Sequence, residues 1–141
     1  MKSYVKVALF VVLFIALVGM LFGLMSFFKK HSDLSKAKPD YIITAVTLQK
    51  EFEDNESAAS AKYIKKILEV SGSISSVTQT DSNNVNISLK SSNDLSSVIC
   101  TFASVDPSKY KAGDEITIRG ECSGFLMDVL LNYCAIVQKR K

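Results

Sequence analysis

Residues 113–137, GDEITIRGECSGFLMDVLLNYCAIV, hold the pattern that decides the fold. After a turn at residues 112–114, Ile116 and Ile118 alternate with polar residues, as in a half-buried β-strand. The apolar run at residues 129–137 predicts a further strand, buried on both faces. The carboxyl end of the chain therefore predicts two consecutive β-strands.

Three more strands are predicted upstream by the same period of two. Residues 67–78 are rich in β-formers around Gly72, where we expect a bulge or a strong bend. The turn composition of residues 81–84 separates this strand from the next two. The alternating apolar residues of those two strands are Val85, Ile87 and Leu89, then Val98, Cys100 and Phe102.

A helical period precedes the strands between residues 43 and 63. Its apolar face is predicted to carry Ala45, Leu48, Phe52 and Ala59, and Asn55 leaves open whether the segment is one helix or two. One helix and five short strands within about 100 residues predict a mainly β domain, a small closed or partly open barrel. Periodicity alone does not separate an OB-type barrel from another small barrel.

Residues 7–28 carry no charge and follow a short basic amino-terminal tail, residues 1–6. As a helix, 22 residues span roughly 33 Å, which matches a hydrocarbon core of about 30 Å. We therefore predict an uncleaved, single-pass transmembrane helix in contact with the bilayer. A cleavable signal peptide is the alternative, disfavoured because the run is long and no small-x-small site precedes Lys29. Gly19 and Gly23 would permit a helix–helix dimer, although glycine is common in membrane helices.

The remaining segments differ in charge. Residues 29–40 read as a polar stalk that contains a solvated His31, residues 41–138 as the helix and barrel, and residues 139–141 as a basic tail. The formal charge of +3 comes from the ends of the chain. Lysines flank the apolar run on both sides, so charge does not decide the orientation.

Spaced residues along the domain resemble the tRNA_anti-like family, OB-fold proteins found mostly in bacteria. The resemblance covers about residues 44–137 and includes Cys100-x-Phe102 and the long block from Gly113 to Cys134. It implies a five-stranded OB-type barrel with a leading helix, often behind a membrane or lipoprotein anchor, and it implies no activity. Its other motif residues are Asn55, Glu56, Tyr63, Gly72, Asp114, Gly120, Gly124 and Asp128.

Two cysteines fall on strands that are neighbours in an OB barrel. Cys122 would end the fourth strand and Cys134 would lie in the fifth, so we predict a disulfide between them that contributes about 3 kcal/mol. Such a bridge would place the domain on the exoplasmic side of the membrane. The alternative is three reduced thiols in a cytoplasmic domain. Cys100 is predicted to be a small buried apolar residue.

The sequence lacks the groups that common enzyme chemistry requires. It has no glycine-rich phosphate loop, no G-x-S-x-G and no H-E-x-x-H, and its one histidine is His31. A histidine-activated nucleophile therefore cannot be assembled in the domain. We expect a protein without enzymatic activity, metal site or cofactor.

Two classes of function remain. The first is a membrane-anchored OB-fold binding module with a protein partner, on the exoplasmic side of a bacterial cell membrane. The second, ranked lower, is a single-stranded nucleic-acid binding protein, because residues 41–138 have a net charge of −4 and the chain has no tryptophan. Candidate ligand-binding residues are Tyr110, Phe125 and Tyr133, each of which could equally be a packed strand-end aromatic. A purely structural tether is a third interpretation.

Overall fold

The computed structural model describes residues 2–27, 34–81 and 83–140, in two compact units, Met1–Ser32 and Asp33–Lys141. The first unit contains helix α1 (Lys2–Phe27), whose apolar side chains, such as Phe10 and Phe14, are exposed. Among the described residues, no helix meets the combined length and hydropathy requirement for crossing a bilayer. Phe28, which ends the predicted span, and residues 29–33 with His31 lie outside the described residues.

The second unit is a closed five-stranded barrel with one additional strand. The sheet order is β1-β2-β3-β4-β6-β5, and pairing of β2 with β5 closes strands β2 to β6 into the barrel. This confirms the predicted mainly β architecture. The elements are β1 (Tyr41–Thr44), α2 (Ala45–Asp54), α3 (Glu56–Tyr63), β2 (Ile67–Gln79), β3 (Asn84–Lys90), β4 (Ser97–Ala103), β5 (Glu115–Leu126) and β6 (Asp128–Arg140).

The interior of the barrel is formed by the alternating apolar residues. Every second residue of β3 and β4 is buried, from Val85 to Leu89 and from Val98 to Phe102, including Cys100. Strand β6 differs from its prediction, because Leu131 is buried but Tyr133 is 47% exposed. One face of β6 therefore reaches the surface, and the strand continues to Arg140 into the predicted basic tail.

The leading segment forms a strand and two helices. Asn55 ends α2 and caps α3, its Oδ1 accepting from the Ala58 amide at 3.0 Å. Residues 43 and 44, predicted as helical, belong instead to β1, which pairs in parallel with β2. Four residues are too few for a period of two to be recognised, and the helix begins at Ala45 after the Thr44 cap.

Of the bulge and the strong bend predicted as alternatives at Gly72, the structure excludes the bulge at this residue. The register of β2 against β3 shifts between Ile74 and Ser76. A Cβ at position 72 would lie 3.0 Å from the Cβ of Ala45. The glycine therefore lets α2 approach β2 closely.

Residues 34–40, predicted to be part of a free polar stalk, lie against the barrel. Leu34 is buried, and the guanidinium of Arg119 donates to the carbonyl oxygens of Ser35 and Ala37 at 2.6 and 3.0 Å. The same guanidinium pairs with Glu69 at 2.7 Å. The described part of the barrel unit therefore begins before residue 41.

All three cysteines are free, so the predicted Cys122–Cys134 disulfide is not present. Cys122 pairs in register with Leu131, three residues before Cys134. A register shift of β5 against β6 and the positive φ of Tyr133 place Cys134 beside Gly120 instead. Burial raises the pKa of the Cys122 thiol to about 11. The cysteine argument for an exoplasmic domain therefore no longer holds.

Gly120 provides a test of this packing. A Cβ at this position would lie 2.6 Å from Cys134 Sγ and 3.2 Å from Leu131 Cβ. We expect Gly120→Ala to lower the free energy of unfolding by about 1–3 kcal/mol, measured by urea denaturation followed by tyrosine fluorescence. Adding Cys134→Ala should restore part of the loss, because it removes the closest atom.

The matched control is Gly124→Ala on the same strand, where an added Cβ meets nothing within 4 Å. Its effect should stay within about 0.5 kcal/mol. Equal effects of the two substitutions would contradict the described packing of β5 against β6.

Candidate binding groove

A buried amide fixes α2 to the turn between β5 and β6. The Gln49 side chain is fully buried, and its Nε2 donates to the Met127 carbonyl at 2.7 Å. Its Oε1 accepts from the Val129 amide at 3.3 Å. Because a buried polar group without a partner costs about 1–3 kcal/mol, this amide favours one position of the helix against the hairpin.

The carboxylate of Glu53, one turn further along α2, holds the loop between β3 and β4. One oxygen, Oε1, accepts from Gln49 Nε2, Asn93 Nδ2 and Ser96 Oγ at 3.0, 3.0 and 2.8 Å. Within the loop, Asn93 Oδ1 accepts from the amides of Leu95 and Ser96. The loop is thereby fixed with Leu95 pointing outward, 87% exposed.

The turn between β5 and β6 carries two further exposed apolar side chains. Leu126 pairs with Asp128, so Met127 alone forms the tip of the hairpin, with a φ of 64°. Leu126 is 80% exposed and Met127 is 72% exposed. Asp128 accepts from the amide and the hydroxyl of Ser97 at 2.6 and 2.9 Å, which joins this turn to the start of β4.

These three segments line an open groove of about 710 Å³, which we name the end groove. Phe125 lies in its wall and stacks on the buried Phe52, with the ring centroids 5.2 Å apart. Three exposed apolar side chains around one groove form the kind of patch that marks an interaction site. The lining residues are Glu53, Glu56, Asn93, Leu95, Ser96, Phe125, Leu126 and Met127.

Among the residues that the structure describes, the charged ones that line the end groove are both acidic, Glu53 and Glu56. Hydrogen bonds from the Gln49 amide and the Ser96 hydroxyl lower the pKa of Glu53 from its ordinary value. The carboxylate is therefore ionised at neutral pH, and the groove presents negative charge beside apolar surface.

The three aromatics predicted as ligand-binding residues are not brought together. Phe125 lines the end groove. Tyr110 lies elsewhere, half-buried, with the Lys139 ammonium 5.1 Å from its ring centroid. Tyr133 lies on β6 and is not among the groove residues. One of the three candidates therefore belongs to the groove.

Two of the motif residues contribute to the groove region. Glu56 lines the groove, and Asp128 joins the turn between β5 and β6 to Ser97 at the start of β4. The others serve the fold, except Gly124, where an added Cβ meets nothing within 4 Å. Tyr63 is buried and its hydroxyl donates to Glu51 at 2.8 Å, while Gly113 has a φ of 92° in the turn before β5. The carboxylate of Asp114 accepts from the Lys111 amide and pairs with Lys139, and both interactions lower its pKa.

Sequence reasoning missed Leu95, Leu126 and Met127, as well as the two residues that hold them in place, Gln49 and Glu53. The available signal was the pair of apolar residues at 126 and 127, next to a turn where polar residues are usual. Within the part of the chain that the structure describes, no group of three metal-ligating side chains is found.

Comparison with known proteins places this barrel among OB-type folds. The crystal structure of a "putative nucleic acid-binding lipoprotein" from Klebsiella pneumoniae subsp. pneumoniae MGH 78578 superposes with a TM-score of 0.52. It shares 18% sequence identity, and the match covers 68% of this chain and 91% of that one. At this identity the likeness shows a shared fold.

Two further solved structures are similar over parts of the chain. The S. pombe Stn1–Ten1 complex matches at 11% identity and a TM-score of 0.44, over 53% of this chain and 58% of that one. An aspartyl-tRNA synthetase-like structure from Leishmania major Friedlin matches at 9% and 0.39, over 74% and 22%. No curated protein sequence matches this chain. The tRNA_anti-like family matches residues 1–136, and the chain belongs to that family.

The hydrogen bonds of Glu53 predict a pH-dependent loop. Because the pKa of Glu53 is lowered in the folded state, its stabilisation is complete above the ordinary carboxyl pKa of 4.5 and is lost as the pH falls through the lowered value. We expect the amide protection factors of residues 93–96 to fall between about pH 5 and about pH 3, measured by hydrogen exchange.

Glu53→Ala should remove this protection at every pH, since Asn93 Nδ2 and Ser96 Oγ then lose the carboxylate that accepts from them. Asp54→Ala is the matched control, because Asp54 is exposed and pairs with the exposed Lys50 at 3.2 Å instead of with the loop. Loop protection that is unchanged in Glu53→Ala would contradict the role given to this carboxylate.

Proposed function

We propose that this protein is a membrane-tethered OB-fold binding module that takes a protein partner in the end groove. The observation that carries the proposal is the exposure of Leu95, Leu126 and Met127 around one groove. Their side chains are 72–87% exposed, so a small molecule inside the groove would leave most of that apolar surface in water. A partner surface could cover all three.

Charge favours a protein over a nucleic acid. Single-strand binders of this fold class combine a positive groove with exposed aromatics on which bases stack. The end groove is instead lined by two carboxylates, and the one aromatic among its described lining residues, Phe125, is stacked on Phe52. A phosphate backbone in this groove would be repelled and would release no counterions. For this chain we therefore give the charge of the end groove more weight than the nucleic-acid description of the Klebsiella protein.

The membrane attachment in the proposal is supported by the sequence of residues 7–28. This run is uncharged, and the described apolar side chains of α1 are exposed all along the helix. A helix that is apolar on every side favours a lipid environment or a protein interior. The Klebsiella structure is named a lipoprotein, a class held at membranes. We propose no catalytic activity and no cofactor.

The membrane proposal predicts that Leu13→Arg combined with Leu17→Arg abolishes membrane retention. Each arginine near the middle of a span costs about 2.5–3.5 kcal/mol. The full chain should remain in the pellet after alkaline carbonate extraction, and the double variant should move to the supernatant. A variant with two leucine-to-isoleucine changes at the same positions is the control. A full chain that is itself extracted would contradict the tether, and protease protection in intact cells reports the side of the barrel.

The binding proposal is tested by site-specific photo-crosslinking in native membranes. A photoreactive residue at Leu126 should form a saturable protein adduct that disappears in the Leu95→Asn/Met127→Asn background. Asparagine tolerates the positive φ of position 127, so the hairpin is retained. A photoreactive residue at the exposed Ala112, at another turn, is the control and should form no such adduct.

The nature of the adduct separates the two functions. An adduct that resists nuclease, and whose captured part is itself degraded by protease, supports the protein partner. A nuclease-sensitive adduct would favour the single-stranded nucleic-acid alternative, and equal labelling from Leu126 and Ala112 would contradict the end groove as the site.

A further inference from the structure

The end groove combines apolar surface with negative charge in a fixed arrangement. Leu95 and the pair Leu126–Met127 project from two separate turns, and the carboxylates of Glu53 and Glu56 come from the adjoining helices α2 and α3. Within residues 34–81 and 83–140, no lysine or arginine lines the groove. A ligand that suits this lining has apolar side chains next to positive charge.

The carboxylates of Glu53 and Glu56 can each form an ion pair with a positively charged group of a ligand. The three internal donors to Glu53 all bind Oε1, so within the described residues Oε2 is not used. Glu56 is exposed at the start of α3, and among those same residues its side chain has no hydrogen-bond or ion-pair partner. The internal hydrogen bonds hold Glu53 in place, so little side-chain entropy is lost when a cation binds it.

We propose that the end groove binds a cationic, apolar segment of a partner protein. Leucine- or phenylalanine-sized side chains of the segment would cover Leu95, Leu126 and Met127, and its lysine or arginine residues would pair with Glu53 and Glu56. This inference rests on the proposed function and specifies the chemistry of the partner. The same carboxylates disfavour an anionic lipid surface and a nucleic acid as occupants.

The test uses the full chain in phosphatidylcholine nanodiscs and three fluorescein-labelled peptides. The peptides share one leucine- and phenylalanine-containing sequence and carry lysine, glutamine or glutamate at the same two positions. Fluorescence anisotropy should give affinities in the order lysine, glutamine, glutamate, with about tenfold between the first and the last. The difference should shrink in high salt because exposed charges are screened. Empty nanodiscs correct for binding to lipid.

Two substitutions assign the binding to the groove. Glu56→Gln should weaken the lysine peptide by about twofold to fivefold and leave the glutamine peptide unchanged. Glu115→Gln, at an exposed carboxylate outside the groove, is the matched control and should change neither. Met127→Asn should weaken all three peptides, because it removes apolar contact common to them.

The outcomes separate this inference from the proposed function. Equal affinities for the three peptides, or no binding of any of them, would overturn the proposal that the end groove binds a cationic segment. If the Leu126 protein adduct still formed, the protein-binding function would stand. A change in the oligomeric state of the full chain on Met127→Asn would show that the occupant is a second copy of this chain, which would also overturn the inference.

Discussion

The buried amide of Gln49 is the interaction on which the arrangement of the end groove depends. It links helix α2 to the Met127 carbonyl and the Val129 amide, residues about 80 positions later in the chain. The same Nε2 also donates to Glu53, which in turn holds the loop between β3 and β4. A single satisfied amide therefore sets the position of a helix, a hairpin and a loop, because leaving it unpaired inside the protein would be costly.

The strands could be predicted because burial imposes a period of two on the sequence. Val85, Ile87 and Leu89 face the interior, and the residues between them do not. At Asn55 the sequence left open one helix or two, and the cap that Asn55 forms in the structure decides for two. The cysteine pairing was not predictable, because it depends on a register shift near Tyr133 that leaves no alternation signal. Strand β1 was missed because only its pairing with β2 defines it.

The candidate site was harder to predict than the fold for a physical reason. Leu95 and Met127 lie in turns and Leu126 is the last residue of β5, so all three stand where the alternation of a strand ends and no longer explains an apolar residue. Their proximity is created by hydrogen bonds between distant segments, such as that from Asn93 to Glu53, 40 residues apart. Phe125 was predicted as a ligand-binding residue only because it is aromatic. Its stacking on Phe52 shows that it also packs against the core.

The position of the groove would separate the proposed binding from the outer wall of the barrel. A ligand lying across the strands would meet the alternating outer faces of the sheet, whereas the end groove is built from helices α2 and α3, the end of β5 and two turns. Turns accept changes of side chain at low cost to the core, so specificity can vary while the strands stay constant. Glu53 is the exception, since the same carboxylate holds the loop and charges the groove. Changes at this residue must therefore alter stability and recognition together, whereas changes at Glu56 can alter recognition alone.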